Sequence, residues 1–430
     1  LMETETAKFD LDLEINEGKY ELEVQFNYNT DLFDHSTIAR MAEHYSVLLE
    51  NITINPNQLL SELKFLTQPE YTRLLVEWKG IEAEYPRDKC IHQIFEEQAE
   101  INPRAVAVVF EGEQLTYEQL NRKANRLAHY LRSQGVGAEE LVGICVERSL
   151  EMIIGILGIL KAGGAYLPLD PELPSGRLRQ ILQDAGTQWV LTQSGLTVQI
   201  PDSCRTVNLD LEIEGEDRLD EYSPVLALDG QQLAYMLYTS GTTGIPKGVG
   251  VNHSNLVNQY FAWEMAYALQ SSYVHLQMAR YTFDVFAGDW IRALCSGGKL
   301  VICPRETLLQ PVQLYALMQR EQVTVAEFVP AVLRLLAEYL EESGQRLEFM
   351  KLLICGSDRW YTEEYKKFLE LCDQQTRLIN SYGLTEVTID STYFETRQIK
   401  SLTQELVPIG QGFANTYSYI LDRWLNPAPI

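Results

Sequence analysis

The sequence predicts an α/β protein in which parallel sheets are layered with helices, preceded by a short strand-and-helix extension. Three observations carry that expectation. From Ala105 onward, apolar runs of strand length alternate with amphipathic helical stretches, a pattern that needs crossover connections and parallel pairing. A loop rich in glycine and hydroxyl residues follows one of these strand-like runs, where open α/β sheets hold their ligands. The 430 residues, 46% of them hydrophobic, suffice to bury a sizeable core and to form more than one domain or subdomain.

The elements follow in order. Within 1–62, FDLDLEI and YELEVQFNYN alternate apolar and polar residues as half-buried strands do, and Asn16 and Gly18 between them suggest a hairpin. Ile38, Met41, Tyr45, Leu48 and Leu49 then recur at helical spacing. Residues 63–90, with Pro69 and Pro86, read as a linker. Beyond it, AVAVVFEG is strand-like. Thr116 and Gln119 form a capping box ahead of a helix whose Leu120, Ala124, Leu127 and Leu131 share a face, and Gly135 ends it. LVGICVE reads as a buried strand, SLEMIIGILGILKAGG as a helix with a glycine stop, AYLPLD as a strand, RLRQILQDAG as a helix and QWVLTQ as a strand.

Composition excludes several classes. Sixty acidic against 35 basic residues give a net charge of −25, which repels nucleic acid and anionic membranes, although solubility alone explains an acidic surface. The seven cysteines include no C-x-x-C pair and read as reduced, mostly buried thiols. The longest apolar candidate, 152–169, is broken by Lys161, Gly163, Gly164 and Pro168, too soon for a membrane span. LMETETAKFD at the start lacks the basic and apolar regions of a signal peptide. The expectation is a soluble cytoplasmic protein with neither a nucleic-acid nor a membrane partner.

The stretch LYTSGTTGIPKGV, Leu237 to Val249, is the chemical centre of the chain. Thr239, Ser240, Thr242 and Thr243 set hydroxyls among Gly241 and Gly244, so side-chain donors and open backbone N–H groups can converge on one anion, with Lys247 as counter-charge. A triphosphate suits that composition. Pro246 stands where a Walker A loop needs glycine, which disfavours an ordinary P-loop. The bland alternative, a flexible surface turn, gives no reason for so many hydroxyls beside an apolar strand and a closing Pro-Lys-Gly.

Three further motifs, LTYEQLNRKANRLAHYL (Leu115 to Leu131), LKAGGAYLPLDP (Leu160 to Pro171) and NSYGLTEVTID (Asn380 to Asp390), stand in order around this loop. Together the four resemble the adenylate-forming superfamily, and most of all the adenylation domains of nonribosomal peptide synthetases, from roughly residue 90 onward. The resemblance implies that 91–430 is the layered α/β/α large N-terminal core of such an enzyme, using ATP as co-substrate with Mg²⁺. Residues 1–62 are similar to the tail of a condensation domain and carry none of its His-rich motif, so a structural role is expected of them. In relatives the segment after PIGQGFANTYSYILDRWLNPAPI leads to a ribose-binding aspartate, a hinge and a small subdomain with the catalytic lysine. Residues 1–430 alone are therefore expected to adenylate weakly, with Lys247 kept to the mobile phosphate loop. The partners implied are a carrier domain and the upstream condensation domain, with a small helper protein left open.

The resemblance also assigns roles residue by residue. Thr385, Glu386 and Lys247 are the candidates for chemistry at the phosphates, Glu386 as the Mg²⁺ carboxylate and Thr385 as a phosphate-side hydroxyl. Tyr382 offers a ring to adenine, Gly383 close backbone approach, and Gly356, Ser357, Asn380 and Ser381 complete the adenine site. Asp284, opening FDVFAGDW, is the partner for a substrate α-ammonium, which separates amino-acid activation from activation of plain acids. Val285, Gly288, Glu327, Leu353, Cys355, Ser381, Ile389 and Asp390 are the remaining pocket positions.

Glu327 and Asp390 face mostly apolar neighbours in that set, so a cationic substrate side chain would compensate them, and Gly288 leaves room for its length. The set resembles ornithine-activating modules, differing at Leu353 and Cys355, and predicts a basic amino acid: ornithine first, then lysine or arginine. The alternative is that Glu327 hydrogen-bonds a neutral polar substrate or pairs with a protein arginine such as Arg280 or Arg334. Two other functions compete: an acyl-CoA ligase, which Asp284 and the condensation-like N-terminus oppose, and a noncatalytic substrate-binding or docking module.

Overall fold

The structure, a computed structural model, describes residues 9–196, 200–211, 221–224, 226, 228–239, 247–398 and 404–430. The chain forms two compact units, one comprising Leu1–Gly80 with Tyr417–Ile430 and the other Ile81–Thr416.

In the first unit the expected hairpin pairs strands Leu11–Glu17 and Leu22–Tyr28 in antiparallel register. Helix His35–Ile54 follows, with Ile38 buried and Met41, Tyr45, Leu48 and Leu49 half-buried on the predicted face. Part of the stretch read as a linker is helical: Thr67 accepts from the Glu70 N–H at 3.3 Å and starts helix Gln68–Thr72, which widens into a π-helical turn over Arg73–Glu77. The C-terminal segment is tied to this unit by Asn426 Nδ2 donating to the Ser61 carbonyl at 3.0 Å and the Ile430 N–H donating to Glu70 at 3.1 Å.

The second unit is built on two sheets. In the first, strands Lys247–Asn252, Leu233–Thr239, Ala165–Pro168, Leu141–Ile144, Trp189–Thr192 and Arg205–Asn208 lie side by side, all neighbours parallel except the first pair. The second runs Gln411–Gly412, Thr392–Phe394, Arg377–Tyr382, Leu352–Cys355, Val325–Phe328, Val274–Gln277, Lys299–Ile302, Val106–Phe110 and Glu113–Thr116, with a parallel centre and antiparallel edges. Short central strands with all four residues buried, such as Leu352–Cys355, are what a sheet covered on both faces requires. The largest core cluster joins Val142 and Ile144 of one sheet, Leu300 and Ile354 of the other, and the helices between, which is the layered α/β arrangement the sequence predicts.

Local chemistry explains the helix boundaries. Thr116 Oγ1 accepts from the Gln119 N–H at 3.2 Å, and Gln119 Oε1 accepts from the Thr116 N–H at 2.9 Å, the reciprocal capping box. Helix Leu150–Ala162 starts at Ser149, whose hydroxyl accepts from Met152 N–H at 3.3 Å, and ends at Gly163 with φ +92°. Apolar nearly all round, it is buried along its length. All seven cysteines are free thiols, six of them buried. Among the described residues no helix is long and apolar enough to cross a membrane.

Candidate functional site

The C-terminal ends of parallel strands place the site. Strand Val274–Gln277 leads to Asp284 at the head of helix Asp284–Cys295, and strand Val325–Phe328 carries Glu327. Strand Leu352–Cys355 opens into Gly356 and Ser357, and strand Arg377–Tyr382 runs into Gly383 and the turn Thr385–Val387. Each functional segment thus leaves the same edge of one sheet, as parallel topology requires.

Thr239 and Lys247 face each other across the antiparallel pair that flanks the loop expected to bind phosphate, and Lys247 is exposed. Ser240, Gly241, Thr242, Thr243 and Gly244, expected to cradle phosphates, lie outside the described residues. The strand Lys247–Asn252 packs against the turn Thr385–Val387, so the loop's lysine end and the Thr385–Glu386 pair belong to one neighbourhood. Glu386 is exposed there, and among the described residues its carboxylate has no protein partner. An exposed carboxylate of this kind is the ligand type Mg²⁺ takes when phosphate oxygens complete its shell.

Asp284 is held by two hydrogen bonds. Its Oδ2 accepts from the Thr385 hydroxyl at 2.7 Å and its Oδ1 from the Val285 N–H at 2.9 Å. Burial raises the Asp284 pKa above the ordinary carboxylate range, while the Thr385 bond pulls it back. Thr385, expected at the phosphates, therefore spends its proton on the carboxylate assigned to the substrate ammonium.

A cavity of about 250 Å³ opens beside Asp284. Val285, Phe283, Met278, Phe328, Val332, Glu327 and Ser357 are among the residues lining it, so Asp284 and Glu327 share a mostly apolar chamber. Leu353 and Cys355 are fully buried in the core cluster that includes Met278, Phe328 and Val332, and burial keeps the Cys355 thiol neutral. Ile389 and Ser381 are buried as well.

The expected unpartnered acids prove to be partnered. Glu327 is ion-paired with Arg292 Nη2, which also reaches Asp289 at 3.1 Å, and Arg292 Nη1 lies 3.5 Å from Asp390. Neither Arg280 nor Arg334 is the arginine involved: Arg280 faces Asp170 at 3.6 Å and Arg334 bonds Glu364 at 2.5 Å. Asp390 accepts further bonds from Trp263 Nε1 at 2.9 Å and from the Ser381 hydroxyl. The space attributed to Gly288 is also taken. A Cβ there would lie 3.2 Å from Trp263 Cη2 and 3.3 Å from Arg292 Nη2.

Burial raises the pKa of Glu327, Asp289 and Asp390, and Arg292 opposes the rise in each. Burial works against the Arg292 cation too, but Glu327, Asp289 and Asp390 outweigh it and keep it charged. Arg292, Asp289 and Trp263 are the site residues that motif reasoning missed. A signal for two of them was present: beyond its opening Asp284, the helix DVFAGDWIRALC is apolar apart from Asp289 and Arg292, charges three apart where burial obliges a charge to pair.

At the expected adenine end, Tyr382 is half-exposed at the tip of its strand, and Ser357 has φ +67°. Gly383 is pressed so close that a Cβ would lie 1.7 Å from the Ile389 carbonyl oxygen. Thr388 and Ile389 follow with φ of +67° and +68°, unusual for β-branched residues and a mark of stored strain between Glu386 and Asp390. Asn380 differs from expectation in that its amide is spent on the main chain, donating to the Pro408 carbonyl at 2.9 Å.

The family described as AMP-binding enzyme matches residues 95–430, and the condensation domain family matches residues 1–75. The chain is 41% identical over 425 residues to gramicidin S synthase 2 of Brevibacillus brevis, covering 99% of this chain and 10% of that protein. It is 38% identical over 434 residues to bacitracin synthase 2 of Bacillus licheniformis, covering 100% of this chain and 16% of that protein. Among solved structures, the nonribosomal peptide synthetase FmoA3 with α-methyl-L-serine-AMP bound superposes with a TM-score of 0.89 at 27% identity, over 99% of this chain and 48% of that one. The chain thus spans a small fraction of the curated relatives it matches.

Proposed function

The chain belongs to the AMP-binding enzyme family, and from that premise we propose that it activates an α-amino acid with ATP, forming an aminoacyl-adenylate for nonribosomal peptide synthesis. One observation carries the reading: the Asp284 carboxylate, oriented by Thr385, opens onto a chamber whose other acid is Glu327. A substrate α-ammonium pairs with Asp284, and the side chain enters the apolar cavity.

The reaction forms a bond between a substrate carboxylate oxygen and the α-phosphorus of ATP and breaks the bond from that phosphorus to the bridging oxygen, which leaves on pyrophosphate. Negative charge grows on phosphoryl oxygens, and Lys247 is the protein cation beside them. The partly exposed ring of Tyr382 stacks on adenine. Glu386 would hold Mg²⁺, which when bound offsets the phosphate charge. Asp284 and Thr385 fix the substrate so that its carboxylate points out of the cavity toward the nucleotide.

For the side chain, a basic amino acid is favoured, ornithine before lysine or arginine. Around Arg292, three carboxyl groups face one guanidinium, so even with Glu327 holding its proton two acids remain for one cation. A second cation on the substrate would relieve that excess. A neutral polar amino acid is the second reading, favoured by the pairing of Glu327 with Arg292. In the whole synthetase, a carrier domain would receive the product and a condensation domain would stand upstream.

Amino-acid-dependent ATP–pyrophosphate exchange in the full-length protein, across the standard amino acids and ornithine, tests this. Exchange peaking with a basic amino acid, and lost in Asp284→Ala while ATP binding persists, supports the reading. A peak with a neutral amino acid keeps the reaction and overturns the cationic substrate. Exchange with no amino acid overturns both.

A further inference from the structure

The helix that opens with Asp284 repeats a functional residue each turn: Asp284, Gly288 and Arg292, four apart, lie along one face. Long helical side chains lean toward the N-terminus, so Arg292 reaches back over Gly288. Its Nη2 and Cζ would sit 3.3 and 3.4 Å from a Cβ at Gly288. The guanidinium lies 4.8 Å from the ring centre of Trp263, with Glu327, Asp289 and Asp390 around it. The group is fixed by stacking and ion pairs on several sides, and Arg292 is buried.

The open cavity respects this arrangement. It touches Asp284, Val285 and Glu327, and none of Gly288, Asp390 or Arg292 lines it. Glycine at 288 therefore makes room for the protein's own cation. One carboxylate oxygen of Glu327 is committed to Arg292, while Glu327 still borders the cavity.

We propose that Arg292 sets the length of side chain the pocket accepts: its guanidinium closes the deep end behind Glu327 and repels a substrate cation that reaches past it. Resting on the cationic-substrate reading above, this gauge admits a short ammonium that stops at the near edge of Glu327. A longer one is driven against a fixed like charge, and a bulkier guanidinium lacks the volume. Arg292 is thus a specificity-determining residue acting through Glu327, and it requires the absence of a side chain at 288.

The test is pyrophosphate exchange in the full-length protein with 2,4-diaminobutyrate, ornithine, lysine and arginine, for wild type, Arg292→Met, Arg292→Lys and Gly288→Ala. Wild type should prefer ornithine over lysine and arginine. Arg292→Met, which removes the charge and keeps an unbranched chain, should raise the ratio of kcat/KM for lysine over ornithine at least tenfold, mainly through KM. Arg292→Lys should keep the wild-type order. Gly288→Ala retains every charge and crowds the guanidinium at 3.3 Å, so it should shift the lysine-to-ornithine ratio away from wild type, and it decides the matter if Arg292→Met does not fold. Equal loss for all four substrates in Arg292→Met and in Gly288→Ala would mean a merely structural arginine and would overturn the gauge with the substrate reading intact. Wild-type exchange confined to neutral amino acids would overturn both.

Discussion

Replacing Glu327 by glutamine removes one titrating carboxyl from the Arg292 cluster and nearly keeps its shape, so the pH dependence of stability should change. In the folded chain burial pushes Glu327 from 4.5 up to about 8, with Arg292 pulling it down and Asp390 and Asp289 pushing it further up. Between those values the folded state keeps a proton that the unfolded state has released, so wild-type stability falls as pH rises through the window. One pH unit is worth at most about 1.4 kcal/mol, which makes a step from about pH 5.5 to about pH 8.5 worth roughly 3 kcal/mol as a ceiling. Sharing of protons with Asp289 and Asp390 lowers the value below that ceiling. His92 and His275 act in the opposite sense: burial lowers both to about 3, so their contribution is lost as pH falls below the ordinary histidine range. Subtracting the variant from wild type cancels them. Urea denaturation of both proteins at the two pH values should show Glu327→Gln gaining on wild type at the higher pH, by up to roughly 3 kcal/mol. A difference that stays constant would mean that Arg292 holds Glu327 ionised throughout, and the burial argument would fall.

Three further outcomes follow from the site. Thr385→Val removes the 2.7 Å donor to Asp284. A bond to a charged group contributes about 1.5–3 kcal/mol, so the KM for the amino acid should rise about tenfold or more with the KM for ATP little changed; an unaltered amino-acid KM rules out the orienting role. Gly383→Ala sets a methyl 1.7 Å from the Ile389 carbonyl oxygen, a clash with backbone that the strained 388–389 pair cannot absorb. Its melting temperature should drop and exchange should be lost, whereas a variant that melts and exchanges like wild type would mean the turn is free to move. Trp263→Phe keeps a ring under Arg292 and deletes the donor to Asp390, which should cost about 1–3 kcal/mol in urea denaturation. No loss would show that Ser381 and Arg292 satisfy Asp390 on their own.

What the sequence made legible, and what it did not, divides along contact range. The capping box at Thr116 and Gln119, the glycine stop at Gly163 and the parallel α/β alternation are local or periodic, and each can be read from residues a few positions apart. The Asp284–Thr385 bond spans 101 positions and the Trp263–Asp390 bond 127, and no local pattern encodes either. The motifs could say that Asp284 and Thr385 matter, but not that one orients the other. Arg292 lies between these cases. Its spacing from Asp284, Gly288 and Asp289 was visible, yet two of its three acidic partners come from the strand at Glu327 and the turn at Asp390, which only the sheet order brings together. That is why a pocket read position by position left Glu327 seeking a cation from the substrate. The folded chain already supplies one cation to three acids, and the cationic-substrate proposal rests on the remainder. Under the proposed gauge, specificity belongs to the cluster as a unit, so a substitution at Arg292 should alter selectivity as strongly as one at the residues lining the cavity.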